Sequence, residues 1–229
     1  MAVVTDIKKR PAGTRRRVVA LDGDDWRTTS AEVLADLGIR MGHIASADEL
    51  SHQIDEAEPV LARAKALRLL NYRERSVSEL VGRLEQDGYP AEVARKVASD
   101  LEASGLVDDE RFAHALARQL LEIRGLGRRR VLADLATKGV DPEVAANAVD
   151  ELVSVADDER RAQEMARTLS SRVGGSVDRV ASKLVRKGFP TGVALRAARD
   201  AVDALSHIDD PSHLQESDDS PPGSGASSP

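Results

Sequence analysis

The chain has 229 residues, of which 31% are charged and 41% hydrophobic, a balance expected of a soluble protein with one large domain or two small ones. Aromatics make up only 2% and cysteine is absent, which points toward helix and removes disulfides, thiol catalysis and Cys-ligated metal sites. The net charge of −6 hides alternating basic and acidic blocks, and no stretch approaches the roughly 20 apolar residues that span a bilayer. The opening basic residues, with no apolar run behind them, do not read as a secretory signal, and a cytoplasmic protein with no membrane partner is expected.

Residues 1–17 carry six Lys or Arg against the single acid Asp6, and read as a basic, flexible leader. Residues 18–58 reverse the sign, with ten acids against Arg27 and Arg40, and read as a small segment of its own. Within it Arg17-Val18-Val19-Ala20-Leu21 is a strand candidate, Asp22-Gly23-Asp24-Asp25 is turn chemistry, and Trp26-Arg27-Thr28-Thr29 returns as a second strand. Two short helices over 31–37 and 47–57 follow, with Gly38 and Gly42 between them.

Residues 59–208 repeat. Gly88, Gly139 and Gly188 fall 51 and 49 residues apart. Four and eight residues before each stand Leu84 and Leu80, Leu135 and Val131, Leu184 and Val180. Behind each glycine comes a proline with Val-Ala: Pro90 with Val93-Ala94, Pro142 with Val144-Ala145, Pro190 with Val193-Ala194. Asp108-Asp109-Glu110-Arg111 returns as Asp157-Asp158-Glu159-Arg160. Each unit predicts three helices: a first over 60–72, 108–123 and 157–172, a second over 76–87, 127–138 and 176–187, and a third opened by the proline. Asp108 and Asp157 suit N-cap positions, and Ser76-Val77-Ser78-Glu79 has capping-box spacing. Gly88, Gly139 and Gly188 are expected to be structural caps closing the second helices, where a left-handed residue is needed. The expected fold is therefore all-α: three tandem three-helix repeats (59–107, 108–156 and 157–208) in an elongated, curved body, behind a short hairpin-like segment. Residues 209–229 hold five acids and no base, end in Pro, Gly and Ser, and read as a disordered acidic tail.

Catalytic chemistry finds little support. His43, His52, His114, His207 and His213 lack ligand spacing. The paired acids Asp108-Asp109 and Asp157-Asp158 could be metal ligands or acid–base partners, but their place at helix starts favours capping. Gly125-Leu126-Gly127 before Arg128-Arg129-Arg130 suggests phosphate at a helix N-terminus, yet lacks both the dinucleotide fingerprint and the Walker lysine and hydroxyl. The expectation is a protein that is not an enzyme and needs no cofactor or metal.

Arginine and lysine are what remain. Arg124, Arg128, Arg129, Arg130 and Lys138 crowd the second helix of the second unit, and Arg172, Arg179, Lys183, Arg186 and Lys187 that of the third. Arg83 stands alone in the first. The ordinary reading is a solvated face; the functional one is a basic surface for a polyanion or an acidic protein groove. Stacking platforms for bases are scarce, because Tyr89 and Phe189 follow the glycines and Tyr72 and Phe112 sit in first helices, where core packing is expected.

Several of these motifs together resemble the RecX family of recombination regulators. They are Arg75-Ser76 with Glu79-Leu80, Leu84 and Gly88; Gly105-Leu106-Val107-Asp108-Asp109 with Phe112-Ala113; Gly125 and Gly127 before the arginines; and Leu135 with Lys138-Gly139-Val140. The similarity covers 60–208, is most specific from Ser76 to Val140, and is looser at Gly174-Gly175-Ser176. It implies tandem helical repeats and a monomeric cytoplasmic protein that binds the RecA recombinase and the RecA–DNA filament and mostly inhibits it, with no catalytic residue to carry over. Direct DNA contact is a further option. The rival of a different class is a helix-turn-helix DNA reader using the helix from Pro90, whose Arg95 and Lys96 face Glu92, Asp100 and Glu102, an unfavourable balance for a major groove. A plain helical scaffold would leave the charge blocks unexplained.

Overall fold

The structure is a computed structural model that describes residues 1–9, 14–173 and 176–208. It begins with strands. β1 (Ala2–Lys9), β2 (Arg16–Leu21) and β3 (Asp24–Ser30) precede α1 (Ala31–Asp36), and β4 (Ile44–Ala45) follows it. They form one antiparallel sheet in the order β3-β2-β1-β4. The β2–β3 turn places Asp22 at φ 49° and Gly23 at φ 102°, the left-handed pair that matches strand twist in a two-residue hairpin. The expectation of a flexible leader over 1–17 is thereby corrected. β1 lies within it, its Val4 buried and Ile7 opposite Val19, so β-branched residues and a partner strand outweigh the repulsion of Lys8 and Lys9.

A second correction concerns the break expected near residue 58. α2 (Ala47–Tyr72) runs unbroken through Pro59. Its buried residues Leu50, Ile54, Glu58, Ala62 and Ala66 recur every four positions and form one stripe. That continuous buried stripe outweighs the one hydrogen bond that a proline removes. Glu58, only 2% exposed, is held there by the Thr29 hydroxyl at 2.6 Å and Arg27 at 3.4 Å, which tie β3 to the helix. Burial, the largest influence, pushes its carboxyl above the usual range.

α3 (Val77–Gln86) and α4 (Ala91–Ala103) complete the first repeat. The second comprises α5 (Asp109–Arg118), a π-helical turn (Gln119–Ile123), α6 (Arg128–Thr137) and α7 (Pro142–Asp150). The third is α8 (Val155–Val173), α9 (Val177–Arg186) and α10 (Thr191–Ile208). The repeat-defining pairs Leu80/Leu84, Val131/Leu135 and Val180/Leu184 are all fully buried. Tyr72 departs from the expected core packing: it is 85% exposed.

The described chain divides into two compact units, Met1–Arg124 with Val131–Val153, and Gly125–Arg130 with the chain from Ser154 onward. In the first, the sheet shares one core with α2, α3 and α4, from Val4 and Val19 through Ile54 and Leu80 to Leu101. In the second, Ala162, Ala166, Ala194, Ala197, Ala198 and Ala201 surround Val180, Leu184 and Phe189, so small residues bring α8, α9 and α10 together. The tail expected over 209–229 lies outside the described residues.

Candidate functional site

The second helices end in carbonyls that other segments use. In the first unit, Gly139 closes α6 at φ 70°, and the preceding Lys138 carbonyl accepts a 2.5 Å hydrogen bond from the Ser76 hydroxyl, the N-cap of α3. Gly88 closes α3 at φ 104°, with the Asp87 carbonyl accepting from Ser30, the N-cap of α1, at 2.9 Å. In the second unit Gly188 has φ 98°; Gly127 N–H donates to the Lys187 carbonyl at 2.9 Å and Arg129 N–H to the Gly188 carbonyl at 3.2 Å. A Cβ on Gly188 would lie 2.4 Å from the Arg130 Cβ and backbone nitrogen, and one on Gly139 would lie 2.4 Å from the Ser78 Cβ. These glycines thus combine a left-handed turn with a close helix approach, which spacing alone did not reveal.

The same junction explains why Gly125-Leu126-Gly127 is not a phosphate cradle. The donors at the start of α6 face the α9 carbonyls and the Asp158 carboxylate, which accepts from Arg128 N–H at 3.3 Å. The paired acids divide their work. Asp108 caps α5 through Arg111 N–H at 2.9 Å, whereas Asp109 reaches Val77 N–H, at the start of α3, at 2.8 Å. Asp158 does for α6 what Asp109 does for α3. Burial lifts both Asp109 and Asp158 above the usual carboxylate range. Asp157 does not cap α8 as expected: the helix begins at Val155, and Ser154 accepts from Asp157 N–H at 3.2 Å. The Ser76 box is likewise half-formed. Ser76 accepts from Glu79 N–H at 3.0 Å, but the Glu79 carboxylate turns to Arg73 at 3.0 Å and Lys138 at 2.6 Å. Burial raises Glu79, yet these cations together outweigh it and hold the carboxyl below its usual value.

The predicted basic residues fall into different environments. In the first unit Lys138 is half-buried and bound to Glu79, so its charge is already matched; Arg124 is exposed at the end of the π-helical turn. Arg83 lies 3.9 Å from buried Asp87, which also meets Lys65 at 3.2 Å. In the second unit Arg128 is half-buried and Arg129 and Arg130 are exposed on the first turn of α6, where the positive end of the helix dipole disfavours cations. Exposed Arg179 and Arg186, with half-buried Lys183 and Lys187, follow one stripe of α9 opposite buried Val180, Ala181 and Leu184. These four, with exposed Arg172, have no ion-pair partner among the described residues. The structure thus gathers the predicted cations of the third repeat and the first turn of α6 into one compact unit, and assigns Lys138 to a clamp in the other.

Among the described residues no group of three His, Asp or Glu could hold a metal ion, and no helix is long and apolar enough to cross a membrane. A cleft of about 240 Å³ lies between Leu67, Leu70, Leu106 and Val107, rimmed by Arg75, Asp108 and Arg111. The guanidinium of Arg75 is held below its usual pKa first by burial and then by Arg73.

Comparison with known proteins bears on these features. Residues 62–101 match the model of the first three-helix domain of RecX, and residues 108–149 that of the second. The regulatory protein RecX of Mycobacterium ulcerans (strain Agy99) is 43% identical over 88 residues, 38% of this chain and 51% of the relative. That of Mycolicibacterium vanbaalenii is 41% identical over 105 residues, 46% of this chain and 54% of the relative. The chain thus spans about half the length of these curated relatives. A crystal structure of regulatory protein RecX superposes with a TM-score of 0.59 at 20% identity, covering 87% of this chain and 100% of the other, a likeness of fold. The RecX structure from Lactobacillus salivarius gives 0.56 at 18% identity, covering 63% and 96%. The chain is thus similar to RecX over both three-helix domains, matched side by side, and shares the fold of the solved RecX structures.

Proposed function

We propose that this chain regulates the RecA recombinase by seating the cationic face of α9, together with Arg128, Arg129 and Arg130, against the phosphates or acidic walls of a RecA–DNA filament. It limits filament growth and ATP-dependent activity without chemistry, cofactor or metal of its own, and acts in the cytoplasm. RecA enters through the resemblance to the family. The observation that carries the choice of surface is the α9 stripe, four cations with no ion-pair partner among the described residues. The test is the DNA-dependent ATPase of the cognate recombinase with substoichiometric amounts of this protein added over a range of salt. Inhibition that weakens with salt, by about 0.7–0.9 in log–log slope for each phosphate neutralised, supports the reading. Salt-independent inhibition, or none, goes against it.

The helix-turn-helix alternative is less well supplied. The exposed side of α4 carries Arg95 and Lys96 but also Glu92, Asp100 and Glu102. Its field would repel a duplex more than attract it.

A further inference from the structure

We propose that the acidic segment Asp209–Pro229 is an intramolecular occupant of the α9 cationic face and competes there with the anionic partner. The inference rests on the reading that this face binds an anion, and adds its regulation. Three observations lead to it. The face offers Arg179, Lys183, Arg186 and Lys187 along one stripe without ion-pair partners among the described residues. The segment offers Asp209, Asp210, Glu216, Asp218 and Asp219 with no Lys or Arg. It also leaves the fold from the same compact unit, directly after α10 ends at Ile208.

Reach is sufficient. α10 has 18 residues and a length of about 27 Å, and its first residue, Thr191, is only four positions beyond Lys187. Glu216, Asp218 and Asp219 lie eight to eleven residues beyond Ile208, which allows them up to roughly 25–35 Å. Asp218 and Asp219 can therefore return along the length of α10 toward Lys187, where the α9 stripe ends. A tethered segment this short acts at an effective concentration in the millimolar range, so individually weak ion pairs suffice to occupy the face. A polyanion must then displace it, and its apparent affinity falls by the fraction of faces left open.

The full-length chain tests this in two measurements. The first is zero-length carbodiimide coupling, which joins a carboxylate to a lysine in contact with it. Lys183 and Lys187 are the only lysines from 154 to 208. At low salt they are expected to couple to Glu216, Asp218 or Asp219 within single chains, as isotope mixing shows, and high salt or excess heparin should abolish the products. The second is the affinity for a fluorescent oligo-dT probe. Neutralising the five acids to Asn and Gln is expected to tighten it about tenfold at low salt and to have no effect near 1 M salt. Absence of Lys183 and Lys187 products, or coupling spread equally to Lys8, Lys9 and Lys96, overturns the proposal, as does an unchanged probe affinity on neutralisation. A variant with Arg179, Lys183, Arg186 and Lys187 changed to Glu separates the two readings. If it loses probe binding while tail neutralisation changes nothing, the tail proposal fails and the binding face stands. If it binds the probe as the parent does, the binding face itself is wrong, and the tail proposal falls with it.

Discussion

Replacing Gly139 by alanine isolates the energy of one helix junction. Two costs act on the new side chain. Its φ of 70° is left-handed, which disfavours any L residue by about 1–2 kcal/mol. Its Cβ would also lie 2.2 Å from the Ser78 hydroxyl oxygen and 2.4 Å from the Ser78 Cβ. The hydroxyl can rotate away but the Cβ cannot, so the helix ends must separate, an overpacking cost of about 1–3 kcal/mol. Gly105 supplies the control: its φ is 72°, nothing lies within 4 Å of an added Cβ, and it belongs to the same unit. Gly105→Ala should therefore cost only the backbone part, about 1–2 kcal/mol, and Gly139→Ala about 2–5 kcal/mol in total. Urea titrations of both variants, with thermal melts in which each kcal/mol shifts the midpoint by roughly 2–4 °C, give the difference. Adding Ser78→Gly to Gly139→Ala removes both clashing atoms and should recover about 1–3 kcal/mol in a double-mutant cycle. Equal costs at Gly105 and Gly139, or additivity within about 0.5 kcal/mol in the cycle, would refute the junction argument.

Two carboxylates should give opposite pH dependences. Glu79 is held below its ordinary value of 4.5, so its stabilisation is present above that value and lost as pH falls through the lowered one; Glu79→Gln should flatten the acid limb of a stability profile. Asp109 is raised above its ordinary 3.8 by burial, so stability is gained as pH falls through the raised value, and Asp109→Asn should remove that gain in the same measurement. Asp109→Ala leaves Val77 N–H without its acceptor and should cost about 1 kcal/mol by urea titration. Chelation by EDTA should leave the melting temperature unchanged, and the purified protein should hydrolyse neither ATP nor DNA with or without magnesium.

The repeat was legible because its signals are local. A glycine that must turn left, leucines four and eight residues before it and a proline after it all act within one helix–turn–helix stretch, and Leu80, Leu135 and Leu184 are buried accordingly. What escaped depends on distant partners. β1 gains its order from Val18, Val19 and Ala20, so its own lysines dominated a local reading. The α2 stripe includes a glutamate whose burial requires Thr29 and Arg27 from another strand. Pro59 lies beside it, inside the helix, where the boundary between 58 and 59 was expected. The basic cluster was visible as composition, but not that Lys138 is matched by Glu79, 59 residues away, while the α9 cations are left without such partners among the described residues. Nor could spacing show that Gly127 presses on the backbone of Gly188.

The central claim is that α9 carries the binding face, and two charge reversals measured side by side test it most directly. One variant changes Arg179, Lys183, Arg186 and Lys187 to Glu; the other changes Arg95 and Lys96 to Glu on the exposed side of α4. Arg179, Arg186, Arg95 and Lys96 are exposed, where a substitution usually moves folding stability by no more than about 0.5 kcal/mol, and matched melting curves, which also cover half-buried Lys183 and Lys187, establish that both variants fold. Inhibition of the recombinase's DNA-dependent ATPase is then titrated with each. The account predicts that the α9 variant loses inhibition at every salt concentration while the α4 variant inhibits like the parent. Loss of inhibition in the α4 variant alone, with the α9 variant unaffected, would contradict it and place function on a DNA-reading helix instead.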